Sequence, residues 1–211
     1  MTISKRLKAV AGFVTRDSTL VDVGCDHGLL PVYLAENGIV THATACDIKE
    51  GPLNASRELV KARGLEGKIR CVISDGFKGI SPTSYDTATV CGMGGELIAS
   101  ILENSKEHFL SDKHFIFNPM THSEILRKYL SENGFKVEKD IIICDTGHYY
   151  NIFDAHYTGT VTPHSEAYYY IGEIRDFSER GYFEHLLNYL KNKEKSGSDF
   201  STVIAEIEAK L

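Results

Sequence analysis

Thr19-Leu20-Val21-Asp22-Val23-Gly24-Cys25-Asp26-His27-Gly28-Leu29-Leu30-Pro31-Val32-Tyr33-Leu34 runs from an apolar β-type segment through a glycine-containing turn into a helical stretch. A strand, tight turn and helix in this order open a nucleotide-binding α/β fold, where glycine lets the backbone turn sharply and approach a ligand closely. The middle glycine of the usual pattern is replaced here by Asp26. A carboxylate at that place repels the pyrophosphate of a dinucleotide and tolerates a cationic, phosphate-free ligand.

Outward from this turn, β-rich runs alternate with helical stretches. The runs are Thr19–Val23, His42–Asp47, Ile69–Ser74, Thr87–Cys91 and His114–Asn118. Helices are expected over Leu29–Asn37, Pro52–Arg63, Glu96–Phe109 and Ser123–Asn133, after an opening amphipathic helix carrying Ile3, Leu7, Val10, Ala11 and Val14. Such alternation builds a parallel sheet with helices on both faces. Phe135–Cys144 and His148–Tyr157 break the rhythm: they are separated only by Asp145-Thr146-Gly147, too few residues for a helical crossover, and are expected to pair antiparallel. The fold class is therefore α/β, a Rossmann-like sheet of five parallel strands plus an antiparallel hairpin, the layout of class I methyltransferases.

Past Pro163 the alternation stops. Phe183, Leu186, Leu187 and Leu190 recur at helical spacing, as do Phe200, Val203, Ile204, Ile207 and Leu211 after the breaker Ser196-Gly197-Ser198-Asp199. Two amphipathic helices in a hairpin are expected, giving a division into residues 1–160 and a helical extension over 161–211.

The 211 residues suit one ordinary domain with a small appendage. No apolar run has the length of a membrane span and the first residues lack a signal-peptide core, so the expected location is the cytoplasm, with no membrane partner. Five scattered cysteines without a CxxC pair argue for reduced thiols and against a disulfide frame or a metal site. The net charge of −6 does not advertise a nucleic-acid binder, so any RNA contact needs a local patch. Lys5, Arg6, Lys8 and Arg16 at the start and Lys191, Lys193 and Lys195 near the end are the candidates.

In a wound sheet the ligand lies across the carboxyl ends of the strands. Asp47 ends the second run, where an acid can accept hydrogen bonds from both hydroxyls of a ribose. Asp75-Gly76 follows the third, placed to hold an adenine amino group beside a glycine that leaves room for the ring. Cys91-Gly92-Met93-Gly94-Gly95 follows the fourth and Asn118-Pro119-Met120 the fifth. An isolated Asp-Gly is usually a turn and a glycine cluster often a tight βα loop; the weight rests on all of them falling at the ends of consecutive strands. The expected cofactor-binding set is Asp22, Gly24, Cys25, Asp26, His27, Asp47, Ile48, Asp75, Gly76, Cys91, Gly92, Met93 and Gly94, and with Asp26 in the turn the cofactor is S-adenosylmethionine.

These segments together, from Asp22 to Pro31, Ala45 to Pro52, Ser74 to Gly76, Gly92 to Gly95 and the Pro119 loop, closely resemble the TrmK family of bacterial tRNA adenine-22 N1-methyltransferases, and the resemblance runs from Ser4 to the end of the chain. The family usually carries an aromatic residue where this chain has Leu29 and Gln where it has Asn118. The resemblance implies methyl transfer to N1 of an adenine in tRNA, with a C-terminal helical extension as the RNA handle. Asp26, Asn118 and Pro119 are then the catalytic candidates: Asp26 to accept from the adenine N6 amino group, Asn118 to offer its amide to the base edge, and Met120 to pack on the ring. His27 and His122 are candidates for loop-stabilising or phosphate contacts. A monomer or weak dimer is expected. Two other readings stay open at this point, a methyltransferase acting on a small molecule or protein, and a NAD-linked oxidoreductase or nucleotide-binding module.

Overall fold

The computed structural model of the chain describes residues 1–197 and 199–211; position 198, within the expected breaker, lies outside the described residues. The elements in chain order are α1 (Lys5–Ala11), β1 (Ser18–Val23), α2 (Leu29–Glu36), β2 (Val40–Asp47), α3 (Glu50–Ala62), β3 (Ile69–Ile73), β4 (Thr87–Met93), α4 (Gly95–Glu103), β5 (His114–Pro119), α5 (Ser123–Glu132), β6 (Phe135–Asp145), β7 (His148–Tyr157), α6 (Glu166–Ile171), α7 (Arg180–Lys195) and α8 (Ser201–Glu208). The sheet has seven strands in the order β3-β2-β1-β4-β5-β7-β6. Strands β1 to β5 run parallel and β7 pairs antiparallel with both β5 and β6. The expected five-plus-hairpin layout is thus present, and the order reverses between β1 and β4, which places the switch point there.

Alternation along the strands assigns the two faces. Ile116 and Ile152 join Val10, Leu30, Leu34, Leu53 and Val60 in the core beneath α1, α2 and α3. Phe115, Phe117 and Phe153 join Ile98, Leu102, Leu126 and Leu130 in the core beneath α4 and α5. All three phenylalanines are fully buried, each contributing about 1.5–3 kcal/mol of transfer free energy to holding the central strands in place.

Three local differences from the expectations have plain causes. The β6–β7 connection tightens to two residues, Thr146 (φ 51°) and Gly147 (φ 81°), with Asp145 paired to His148; positive φ at both positions makes the turn that matches strand twist. Helix α4 stops at Glu103 rather than continuing to Phe109, because Asn104 caps it and donates its side-chain N–H to the Ser100 carbonyl; a 3-10 turn at Lys106–His108 follows. A third C-terminal helix, α6, precedes the expected pair, its N-terminus capped by Ser165.

Helices α6, α7 and α8 enclose a separate apolar cluster that includes Ile171, Phe183, Leu187, Leu190, Val203 and Ile207, with Ile142 of β6 contributing from the sheet. No helix among the described residues is long and apolar enough to cross a membrane.

Candidate functional site at the carboxyl ends of the strands

The loop after β1 is built on left-handed backbone. Gly24, Asp26 and Gly28 have φ of 74°, 52° and 69°. Aspartate is one of the few non-glycine residues that tolerate this region, and Gly28 has a second reason: a Cβ there would sit 3.0 Å from the Cβ of Ser56 on α3. The Gly24 and Cys25 N–H groups donate to the Cys46 carbonyl, and the Ser56 hydroxyl donates to the Asp26 carbonyl. The loop is thereby clamped between β2 and α3.

This clamping gathers three carboxylates. Asp47 receives the Asp26 N–H at Oδ2 (3.2 Å) and the Lys49 N–H at Oδ1 (2.9 Å), which fixes its plane and leaves further lone pairs for a ligand. Asp26 points outward, its side chain 73% exposed, with His27 Nε2 3.6 Å from its Oδ1. Asp22 is buried and accepts the Thr89 hydroxyl at 2.6 Å. Burial pushes the Asp22 carboxyl up to about 6, with the Thr89 hydrogen bond opposing and the Asp47 charge adding.

A folded-state value above the ordinary 3.8 means that the folded protein holds this proton more tightly than the unfolded chain. The group therefore favours folding at pH below that ordinary value and loses the contribution as pH rises through about 6. Asp22→Asn keeps an acceptor for Thr89 and removes the charge. Relative to the unsubstituted protein, it is expected to gain about 1–3 kcal/mol at pH 8 and close to nothing near pH 4. Thermal midpoints at the two pH values check this, and equal shifts at both would contradict it.

The remaining loops close around the same point. A Cβ on Gly24 would meet the Met93 methyl at 3.0 Å, the Met120 N–H donates to the Met93 carbonyl, and the Ser74 N–H donates to the Asp47 carbonyl. Gly92 (φ 78°) faces open space, whereas a Cβ on Gly95 would collide with the His122 carbonyl oxygen. The glycines of this loop thus divide: Gly92 borders open space, Gly95 seats α4 against the loop after β5, and Gly94 lies against Thr121. Gly76 (φ 61°) is explained by its own turn and by Ile101, whose Cγ2 lies 2.9 Å from a would-be Cβ, so the room beside it is already taken by protein. Asp75 is exposed next to it, and Ile48, 61% exposed, offers an uncovered apolar surface beside Asp47.

The three thiols nearest this loop cluster, Cys25, Cys46 and Cys91, supply no nucleophile. Burial, with the Asp22 charge adding, pushes the Cys25 thiol up to about 12 and also raises Cys46 and Cys91, and all five cysteines are free. All three therefore stay neutral at physiological pH.

Asn118 departs from its expected role. It is completely buried, its Nδ2 donates to the Asn151 carbonyl (2.8 Å), and its Oδ1 accepts from Arg6 Nη1 (2.7 Å). The amide fastens α1 to the sheet and does not face a base edge in this structure. Pro119 and Met120 do line open space, Met120 being 43% exposed. The N-terminal basic cluster is likewise partly spent, since Arg6 is held by Asn118 and Lys5 donates to the Cys144 carbonyl. At the other end Lys191 pairs with Glu208 at 2.7 Å and ties α7 to α8. His122 (φ 53°) pairs with Glu124 at 3.2 Å, a loop-stabilising contact.

Sequence reasoning overlooked Arg6 as a neighbour of the site. Its one signal was membership of the basic cluster Lys5, Arg6 and Lys8 in the first helix, which reads as an RNA-facing patch. It also overlooked an aromatic face of α7, described below.

Comparison with known proteins bears on this geometry. A family model described as a methyltransferase domain matches residues 3–153. The tRNA (adenine(22)-N(1))-methyltransferase of Bacillus subtilis is 31% identical over 155 residues, 74% of this chain, and the matched part spans 65% of that protein's length. Among solved structures, Streptococcus pneumoniae Sp1610 in complex with S-adenosyl-L-methionine is 29% identical with a TM-score of 0.84, covering 99% of this chain and 98% of that one. The structure of M. capricolum TrmK with S-adenosyl-homocysteine is 26% identical with a TM-score of 0.80, covering 100% of this chain and 95% of that one. The chain belongs to the methyltransferase domain family, and its likeness within the solved structures extends to TrmK over nearly the whole of both chains.

Proposed function

We propose that this protein is an S-adenosylmethionine-dependent methyltransferase that modifies N1 of adenine 22 in tRNA. The observation that carries the reading is the placement of Asp26: an exposed carboxylate held out on left-handed backbone at the mouth of the β1 loop, its own N–H bound to Asp47. Three acids around one loop suit a cation and repel phosphate. The names of the similar proteins, a tRNA (adenine(22)-N(1))-methyltransferase among them, supply the substrate.

In this reading Asp47 receives the ribose hydroxyls, Ile48 covers the adenine ring, Asp75 meets its amino group, and the backbone of Gly24 and Gly92 gives the methionine part its close approach. Asp22, Cys25, His27, Cys91, Met93 and Gly94 complete the proposed cofactor-binding set; Gly76 serves the turn. When bound, the cofactor supplies an electrophilic methyl on a positively charged sulfur. Adenine N1 carries a lone pair, so the protein need remove no proton before transfer; it must hold the acceptor in line at about 3–3.5 Å. The methylated ring becomes cationic, and the Asp26 carboxylate, accepting from N6, stabilises that charge. Asn118 is a positioning residue, holding Arg6 and β7 around the Pro119 loop. The division into a methyltransferase domain over 1–160 and a helical extension over 161–211, action in the cytoplasm, and a monomer or weak dimer belong to the same proposal.

Incubation of the protein with unmodified tRNA and methyl-labelled S-adenosylmethionine, followed by nucleoside analysis and mapping, is expected to give 1-methyladenosine at position 22 alone. Calorimetry is expected to register binding of S-adenosylmethionine and none of NAD. Labelled protein or small molecule with unlabelled tRNA would overturn the substrate, and tight NAD binding the cofactor.

A further inference from the structure

A cavity of about 450 Å³ opens beside the Pro119–Met120 loop, on the β5–β7 side of the sheet and away from the Asp47 end. Its walls are that loop, Tyr149 from the start of β7, Tyr170 from α6, and Tyr182 and Tyr189 from α7. Helix α7 presents two different faces. Phe183, Leu187 and Leu190 are buried among α6 and α8, while Tyr182, His185, Leu186 and Tyr189, at i, i+3, i+4 and i+7, line the cavity.

The cavity is held rigidly. The Asn151 amide N–H donates to Tyr182 Oη (3.2 Å), Tyr149 packs edge-on against both Tyr182 and His185, and Gly181 admits the Tyr149 hydroxyl where any Cβ would collide. A second depression of about 340 Å³ continues from it, sharing His122, Glu124, Tyr170 and Tyr189. Lys128 and Lys193 stand there, 5.9 Å from the Tyr169 ring and 5.4 Å from the Tyr189 ring, with no carboxylate partner among the described residues. Glu166 also lines this second part, and Glu124 is engaged by His122, so the groove is close to neutral overall.

We infer that the tyrosine-lined cavity receives an unstacked nucleobase of the RNA substrate, with Lys128 and Lys193 meeting the flanking phosphates. This rests on the proposed RNA reading and names the surface that would grip the RNA. Aromatic faces bind any base by stacking, and cations beside them follow the backbone, which is how single strands are held. The cavity is ample for one base and shares the Pro119–Met120 wall with the site of transfer. Grip through stacking also fits a chain whose net charge is −6. Duplex RNA hides the N1 edge, so some base must leave its stack for the reaction to occur.

Tyr189 is 43% exposed, so its replacement should leave folding intact. Tyr189→Ala is expected to raise KM for unmodified tRNA about tenfold or more, with Tyr189→Phe near the unsubstituted protein because stacking needs no hydroxyl. Affinity for S-adenosylmethionine and the thermal midpoint should be unchanged in both. Binding of a short single-stranded oligoribonucleotide, followed by anisotropy without cofactor, should weaken in parallel with KM, and further in Lys128→Ala/Lys193→Ala. If Tyr189→Ala methylates tRNA with unaltered KM, the cavity assignment fails while the methyltransferase reading stands. If the unsubstituted protein makes no 1-methyladenosine, the reading fails, and the oligoribonucleotide decides the cavity separately: binding lost in Tyr189→Ala upholds it, and no binding to begin with overturns it.

Discussion

Asp26→Asn is expected to lower kcat for tRNA methylation about a hundredfold, while affinity for S-adenosylmethionine stays within about threefold. Asparagine is the informative replacement because it tolerates left-handed backbone as aspartate does. The φ of 52° at position 26, the Asp26 N–H bond to Asp47 and the Ser56 bond to its carbonyl should all survive. Only the negative charge is lost. An amide still has an acceptor for the adenine N6 group, so binding of the base is largely kept. The loss falls on the transition state, where the ring gains positive charge and a carboxylate is worth more than an amide. Single-turnover kinetics with tRNA in excess and calorimetry with the cofactor separate the two quantities. If cofactor affinity collapses and bound enzyme turns over normally, Asp26 serves the amino or sulfonium end of the cofactor and does not touch the adenine.

The position of Asp26 was readable from the sequence because strand, turn and helix each announce themselves there: an apolar run, two glycines and a second apolar run. The same holds for β2 to β4, whose ends carry acids or glycines, and for the hairpin, where Thr146-Gly147 leaves no length for a crossover. What was not readable lay where the meaning of a residue depends on a distant partner. Asn118 looks like a base-edge amide until α1 is folded onto the sheet and Arg6 reaches it. Gly76 looks like space for a ring until Ile101 of α4 fills it. Helix α6 has only six residues, and its Tyr168-Tyr169-Tyr170 run has no period to read. In α7 the buried stripe was visible as aliphatic spacing, but the neighbouring face of Tyr182, His185 and Tyr189 carries polar atoms and passes for solvent-facing surface.

Arg127 is the clearest such case, and its removal is expected to have the largest effect on stability. On α5, among leucines and charged residues, it reads as one more surface cation. In the folded chain it is completely buried, and its guanidinium spends every N–H. Nε and Nη2 form a fork on Asp140 (2.9 and 3.2 Å), Nη2 also donates to Asn151 Oδ1 (2.8 Å), and Nη1 donates to the carbonyls of Tyr169 and Tyr170 (3.1 and 3.2 Å). Gly172 is tied to this arrangement, since any Cβ there would collide with Asp140. The one side chain thus joins α5, β6, β7 and α6, which is the seam between the sheet and the C-terminal helices. Burial raises the Asp140 carboxyl to about 6 even against the opposing charge and hydrogen bonds of Arg127, a value that still leaves it mostly ionised at neutral pH. Arg127→Met strips that support and leaves a buried carboxylate without its countercharge and two carbonyls without their donor. The expected cost is about 3–5 kcal/mol, a fall in thermal midpoint of about 6–20 °C for a chain of this size. Adding Asp140→Leu to Arg127→Met removes the stranded charge and should recover much of the loss, because a buried pair replaced by apolar groups is often near neutral. The cofactor loops hang on the α1–α3 core and on β1, β2 and β4, so any Arg127→Met protein still folded should bind S-adenosylmethionine with unchanged affinity and tRNA more weakly, as Asn151 releases Tyr182. A midpoint within about 2 °C of the unsubstituted protein, a shift of under 1 kcal/mol, would mean that the seam is held by the apolar cluster of α6, α7 and α8 and not by this fork.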